Sequence, residues 1–309
     1  MAIRFDERVV IVTGSGNGLG RSHALEFARR GARVVVNDLG AARDGSGASS
    51  QAAEDVVAEI RAAGGEAIAN GANVTDFAQV RAMVDEAIRT WGRVDVLVNN
   101  AGILRDKTFL KMELEDFRVV VDVHLNGAVN CTKAVWEHMR EQQYGRIIMT
   151  SSSSGIYGNF GQTNYGAAKM ALVGFMNSLA LEGQKYGIRV NALAPIAATR
   201  MTEDLMTEDV LTLLEPEAVT PAVIFLAGDD APTRQIVAAG AGVFARIVIQ
   251  ETPGVFLAPD IRDAEHVASM WETIADTRGQ TELGAGGEQT VKVLRKAAGE
   301  LGITLTNDE

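Results

Sequence analysis

Short, uninterrupted runs rich in valine and isoleucine recur along the first two-thirds of this chain, each followed by a segment with helical spacing. RVVIVTG (8–14), ARVVVND (32–38), EAIAN (66–70), VDVLVNNAG (94–102), GRIIMTSS (145–152) and IRVNALAP (188–195) read as short buried strands. LGRSHALEFARRG (19–31), SSQAAEDVVAEIRAAGG (49–65) and segments near 76–90, 113–142 and 163–185 read as helices, the first two stopped by glycine. Strands apolar on both faces that alternate with helices need a parallel sheet covered on both sides, and right-handed crossovers make it doubly wound. The expected class is therefore α/β, a doubly wound, Rossmann-like parallel sheet flanked by helices on both faces, with a C-terminal helical extension.

Beyond residue 200 the rhythm loosens. One or two short helices are expected in 199–214, another in PEAVTPAVIFLAG (216–228), and a strand at RQIVAAG (234–240). VFARIVIQETPGVFL (243–257) either prolongs that strand or forms a hairpin, and two helices are expected within 262–302. This gives a main domain over 1–250 and an extension over 251–309, packed on the same domain or on a neighbouring subunit. The loop LGAARDGSGASS (39–50) is long enough to expect a functional part.

Composition removes several function classes. The 309 residues carry a formal charge of −11, which argues against a nucleic-acid surface or an anionic membrane. One cysteine, Cys131, allows neither an internal disulfide nor a thiolate metal cluster, and the four histidines lack metal-ligand spacing, so no metal is expected. With no leader-like apolar N-terminus and no run of about 18 apolar residues, the expected setting is cytoplasmic.

The turn after the first strand reads Thr13-Gly14-Ser15-Gly16-Asn17-Gly18-Leu19-Gly20. Glycines there allow positive φ and close approach of a diphosphate, and the following helix N-terminus adds donors and partial positive charge. Gly14, Ser15, Asn17, Gly18, Leu19 and Gly20 are the candidate phosphate-side contacts. Asp38, which ends the second strand 18 residues past Gly20, suits the two ribose hydroxyls of an adenosine. Its neighbour is Leu39 rather than a basic residue, which favours NAD over NADP.

One tyrosine stands apart. A phenol titrating near 10 is a poor base at neutral pH unless a cation beside it stabilises the phenolate. Positions i and i+4 share a helix face. Tyr144, Tyr157 and Tyr186 are followed at that spacing by Ile148, Gly161 and Val190, whereas Tyr165 is followed by Lys169. The serines Ser151, Ser152, Ser153 and Ser154 lie just upstream, and residue physics alone does not choose among them.

TGSGNGLG, NNAG (99–102), the serine run and YGAAK, in this order over roughly 5–250, resemble the short-chain dehydrogenase/reductase family. The resemblance implies Tyr165 as acid/base, Lys169 lowering its pKa and binding the nicotinamide ribose, and Ser152, thirteen residues before the tyrosine, polarising the substrate oxygen. It also implies cofactor contacts from Asn73, Val74, Asn99, Ala101, Gly102, Ile196 and Thr199. Asn73 stands where the family commonly has aspartate, its amide oxygen remaining able to accept from the adenine amino group. His124 stands where the family has a proton-relay asparagine. Its main-chain carbonyl holding a water, and a packed histidine with no catalytic part, are both open readings.

RFDERVVIVTG, VVVNDLG, NNAGILRDKTF, WEHM and YGRIIMTSSSSGIYGNFGQTNY are similar, within that family, to the (3R)-hydroxyacyl-CoA dehydrogenase modules of peroxisomal multifunctional enzymes. This implies NAD-dependent oxidation of a (3R)-3-hydroxyacyl-CoA, a 17β-type hydroxysteroid or another secondary alcohol being the alternative and a non-catalytic NAD-binding protein a weaker one. Arg105, Lys107 and Arg200 are rim candidates for an acyl-CoA, and Met201, Leu205, Met206, Leu211, Leu213 and Leu214 for covering an apolar chain. Apolar residues on several sides of the 113–142 and 163–185 helices, Trp136, Met170 and Phe175 among them, suggest a homodimer or homotetramer.

Overall fold

Eight strands form one sheet in the computed structural model, which describes residues 2–42, 44–47, 49–197 and 208–305. They are β1 (Val9–Thr13), β2 (Arg33–Asn37), β3 (Glu66–Asn70), β4 (Val96–Asn99), β5 (Gly145–Thr150), β6 (Ile188–Pro195), β7 (Ile236–Gly240) and β8 (Val243–Ile247). Their order is β3-β2-β1-β4-β5-β6-β7-β8, parallel throughout except for the β7–β8 hairpin. Each expected strand is present, and of the two readings for 243–257 the hairpin is the one that forms.

Alternation along each strand feeds two separate cores. Val9 and Ile11 point to the face covered by α3 (Phe77–Trp91), α5 (Gly127–Gln142) and α7 (Thr163–Gly183). Val10 and Val12 point to the face covered by α1 (Gly18–Arg29), α2 (Gln51–Ala62) and α9 (Thr220–Ala227). This is why the strands are largely apolar on both faces: a parallel sheet between two helical layers has no wet face.

The helix expected over 113–142 is interrupted. α4 (Leu114–Val121) passes into a π turn, Asp122–Asn126, before α5 begins. Inserting a wider turn re-aims the residues inside it without disturbing the apolar pattern on either side, so periodicity cannot reveal it. Two further helices are α6 (Ser153–Tyr157) and α8 (Glu208–Leu213).

The contact pattern separates Met1–Ile247 from Val248–Glu309. The second unit holds α10 (Ala264–Ser269), α11 (Trp271–Ile274) and α12 (Gly286–Leu301). Three helices stand where two were expected because the chain leaves helical geometry at Met270, whose ψ is 4°. Glu251 pairs with Thr281 through two 3.0 Å backbone hydrogen bonds and receives Lys292 at 2.6 Å. Among the described residues no helix is long and apolar enough to cross a membrane.

The N-terminal ends of the strands are tied by charge. Asp95, fully buried, accepts from Val9 N at 2.9 Å, from Arg8 at 3.0 Å and from Arg93 at 2.6 and 2.8 Å. Arg8 and Arg146 stack on the Tyr144 ring at 3.9 and 4.2 Å, and Arg146 donates to the carbonyls of Gly228, Gly187 and Asp229. Removing Asp95 leaves the buried Val9 N–H unpaired and takes the shared acceptor from two half-buried guanidiniums. Asp95→Ala is expected to lower the unfolding free energy by about 2–4 kcal/mol in urea titrations. Asp95→Asn, which keeps an acceptor for Val9, is expected to cost less.

Candidate active site

A cleft of about 660 Å³ opens beyond the carboxyl ends of the strands. The chain builds β1, β2 and β3 outward in one direction and then returns to place β4 on the other side of β1. Helical connections diverge at that reversal and leave a crevice, the usual ligand position in open α/β sheets. The lining comes from the loops after β1, β2, β3, β4, β5 and β6.

Glycines shape its floor. Gly14, at φ +63°, lies so near the neighbouring loop that a Cβ would stand 2.8 Å from Ala101 Cα. At Gly20 a Cβ would meet the Gly14 carbonyl and, at 2.6 Å, Asn100 Nδ2. Asn17 precedes α1 in extended conformation without a side-chain cap, leaving first-turn N–H groups to a ligand. Gly14, Asn17, Gly18, Leu19 and Gly20 all line the cleft. Ser15 does not: it is fully buried, and its hydroxyl donates to the carbonyls of Val12 at 2.8 Å and Asn37 at 3.2 Å, so it braces the turn from behind.

Asp38 accepts from Gly16 N and Gly40 N, each at 2.7 Å. These bonds aim the carboxylate, and each oxygen keeps acceptor capacity for hydroxyls. Val74 and Asn73 line the same end. The expected use of the Asn73 amide oxygen needs correction. It already accepts from Thr75 N and Thr75 Oγ1, both at 3.0 Å, which spends its lone pairs and leaves the amide N–H₂ for a ligand.

At the other end α7 carries Tyr165 and Lys169 into the cleft. Lys169 Nζ lies 5.5 Å from the phenol ring centroid and donates to Thr150 O at 2.5 Å. Burial pushes the ammonium down to about 7. Burial also raises the Tyr165 phenol, a hydrogen bond with Ser152 lowers it, and the Asp106 charge raises it again. The expected depression of the phenol is therefore not supplied by the protein's own groups. Lys169 is close enough to act, but desolvation of the phenolate outweighs what surrounds it.

The four serines divide the work. Ser151 is buried and donates to the Lys169 carbonyl at 2.8 Å, which anchors α7 to the end of β5. Ser152 bonds to Tyr165 and caps α6 by accepting from Ser154 N at 3.2 Å. Ser153 lines the cleft, and Ser154 donates to Gln162 Oε1 at 2.7 Å.

His124 sits inside the π turn, buried, its ring edge-on to Tyr165 at 5.2 Å between centroids. Nε2 lies 2.8 Å from Ile103 O and 3.2 Å from Ile103 N. Burial, with the Lys169 charge adding to it, holds the imidazole neutral, well below its ordinary range. Its Nδ1, like Thr150 Oγ1 and Asn99 Oδ1, is buried with no partner among the described residues.

Ala101, Gly102 and Ile196 line the cleft; Asn99 stands just behind it, donating to Thr132 and Met149. Thr199 lies outside the described residues, as do Arg200, Met201, Leu205 and Met206. Arg105 and Lys107 are both engaged with Asp116, at 3.2 and 2.8 Å, and so are not free rim cations. Sequence reasoning passed over Asn100, Asp106 and Gln162, three cleft residues. Asn100 was signalled by its place in the NNAG run.

The lysine has an energetic signature. Its folded-state value lies below that of the unfolded chain, so between about pH 7 and 10.5 the folded protein holds fewer protons and stability rises with pH. Below pH 7 the whole cost is present, on the order of 5 kcal/mol. Lys169→Met is expected to melt above the parent protein at pH 6, an advantage that shrinks by pH 9, as thermal scans at the two pH values would report.

Comparison with known proteins agrees with this geometry. Residues 8–209 match the short chain dehydrogenase family. The chain is 45% identical over 296 residues to peroxisomal multifunctional enzyme type 2 of Drosophila melanogaster, covering 94% of this chain and 49% of that protein, so it spans about half of that relative. The solved structure of the full-length Drosophila protein superposes with a TM-score of 0.79 at 38% identity, over 95% of this chain and 50% of that one. A 3-oxoacyl-[acyl-carrier-protein] reductase of Synechocystis is 45% identical over 72% of this chain and 90% of its own length. A 7α-hydroxysteroid dehydrogenase solved with NADH and 7-oxo glycochenodeoxycholic acid gives a TM-score of 0.70 at 30% identity, covering 77% of this chain and 95% of that one. From the family match over residues 8–209 and the likeness in sequence and fold to these relatives, we conclude that the chain is an oxidoreductase and belongs to the short-chain dehydrogenase family.

Proposed function

We propose that the chain oxidises (3R)-3-hydroxyacyl-CoA to 3-ketoacyl-CoA, reversibly, with NAD. The observation that carries this reading is the convergence of Ser152, Tyr165 and Lys169 in one cleft with a glycine turn and Asp38. The acyl-thioester part is supported by the likeness to multifunctional enzyme type 2 and to a reductase named for a 3-oxoacyl thioester.

The residues present suit a nicotinamide dinucleotide. The uncapped start of α1 and the cleft-lining Gly14, Asn17, Gly18, Leu19 and Gly20 would offer backbone N–H groups to a diphosphate. Asp38 would hold the adenosine ribose, and its charge would oppose a 2′-phosphate. Buried atoms without partners, Thr150 Oγ1 and His124 Nδ1, occur where a polar ring would bind. When bound, the oxidised dinucleotide accepts the carbon-bound hydrogen as hydride and adds positive charge.

The chain's own groups handle the proton. Tyr165 in phenolate form takes the substrate hydroxyl proton, and as phenol returns it to the ketone oxygen in reverse. Ser152 donates to the same oxygen as it becomes anionic. Lys169, held by Thr150 O, fixes the sign of the local field, and a value near 7 lets it pass a proton onward at neutral pH. We also infer a homo-oligomer, since Met170 and Leu181 leave apolar surface exposed on α7.

Tyr165→Phe is expected to lower kcat by about 10²–10⁴ while leaving NADH binding, followed by fluorescence, within a few-fold. Both antipodes of several 3-hydroxyacyl-CoAs, each tested with NAD and NADP, check the substrate. Activity confined to the (3S) series would overturn the assignment, and a 17β-hydroxysteroid turned over in preference would favour the alternative. Asp38→Ser is expected to shrink the NAD-over-NADP ratio of kcat/KM by roughly tenfold or more, as lost repulsion and a lost charged hydrogen bond require.

A further inference from the structure

Next to the reacting pair lies a second polar group to which nothing above gives a chemical part. Gln162 occupies the position just before α7, three residues ahead of Tyr165, and its carbonyl accepts from Gly166 N at 2.7 Å. Its backbone is thus rigidly related to the phenol. Its side chain is also fixed. Oε1 accepts from Ser154 Oγ at 2.7 Å and Asn159 Nδ2 at 3.0 Å, while Nε2 donates to Asp106 Oδ2 at 2.6 Å.

The carboxylate only accepts, so the amide nitrogen must face Asp106 and the amide cannot flip. One hydrogen on Nε2 then remains uncommitted among the described residues. Gln162, Asp106, Asn159 and Ser154 line the same cleft as Tyr165. They are also near it: Ser154 N donates to Ser152 Oγ, Ser152 bonds to Tyr165, and the Asp106 charge is felt at the phenol.

An oriented N–H donor beside the reacting hydroxyl suits an acceptor oxygen a short distance along the substrate. The adjoining carboxylate at the same time opposes a second anion there. A neutral carbonyl one methylene from the carbinol, as in a 3-hydroxyacyl thioester, meets both conditions; the carboxylate of a free 3-hydroxy acid meets the first and violates the second. We propose that Gln162 is a specificity-determining residue that donates to the thioester carbonyl of the substrate, and that Asp106 both locks Gln162 and rejects free 3-hydroxy acids. This rests on the thioester reading above and deepens it.

The test compares a (3R)-3-hydroxybutyryl thioester, free (3R)-3-hydroxybutyrate and a secondary alcohol with no carbonyl two carbons from the carbinol. Gln162→Met is expected to lower the ratio of kcat/KM for thioester over plain alcohol roughly tenfold, the equivalent of one neutral hydrogen bond. Asp106→Asn is expected to raise the ratio of free acid over thioester several-fold, with NADH affinity of both variants serving as the check on folding. A purely structural Gln162 would depress thioester and plain alcohol together and leave their ratio where it was, which overturns the proposal. So does a parent enzyme that handles free acid and thioester equally well. A parent enzyme active on plain alcohols but on no 3-hydroxyacyl thioester sinks the underlying reading as well.

Discussion

The ends of β1 and β4 are sewn together by Asn100, and the whole cleft depends on that seam. Its Nδ2 donates to the carbonyls of Thr13 and Gly14, both at 2.9 Å, while Thr13 Oγ1 accepts from Asn100 N and Ala101 N. Four hydrogen bonds thus join two strands at the point where the helical connections diverge. They hold the glycine turn against the NNAG loop closely enough that a methyl group at Gly14 or Gly20 has nowhere to go. Without the seam, each loop would have to satisfy its own backbone groups in a region that must stay open to a ligand.

The opposite end of the cleft works against stability. Among the described residues Lys169 is buried with a single carbonyl as hydrogen-bond partner, Tyr165 is desolvated, and His124 is kept neutral. Each of these costs folding free energy, and the cost is borne by strands packed on both faces and by the charge-tied far ends of β1, β4 and β5. The burial is useful because a dry site strengthens any charge brought into it. The two shifts move the pair apart, the phenol above its ordinary value and the ammonium down to about 7, so the phenolate form depends on positive charge brought into the cleft.

Much of this was legible in the residues. The strand beat gave the sheet because two-sided burial leaves the central strands mostly apolar. The i, i+4 test found Tyr165 because a helix face is a short-range geometric object. Ser152 needed the family resemblance, since side chains after a strand end take directions set by the next turn. The π turn at Asp122–Asn126 was invisible for a different reason, as it alters register without altering composition. Ser15 was misread because glycine-rich turns mix residues that face the ligand with residues that brace the loop, and only burial separates them. Gln162 and Asp106 escaped because their pairing joins positions far apart in the chain, on loops where no periodicity operates.

His124 shows how a departure from the family pattern is absorbed. An imidazole is bulkier than the asparagine side chain commonly found at this position, so the space must come from elsewhere. It comes from Gly102, where a Cβ would collide with the imidazole Cε1. The ring then reaches Ile103 with Nε2 and turns its edge to Tyr165. With Nε2–H given to the Ile103 carbonyl, the shorter of its two contacts, Nδ1 is left as an acceptor. A buried acceptor on a ring packed against the phenol adds a polar partner on the cleft side of the helix. Gly102 and His124 are therefore packed as a pair, and a side chain at 102 would displace the ring.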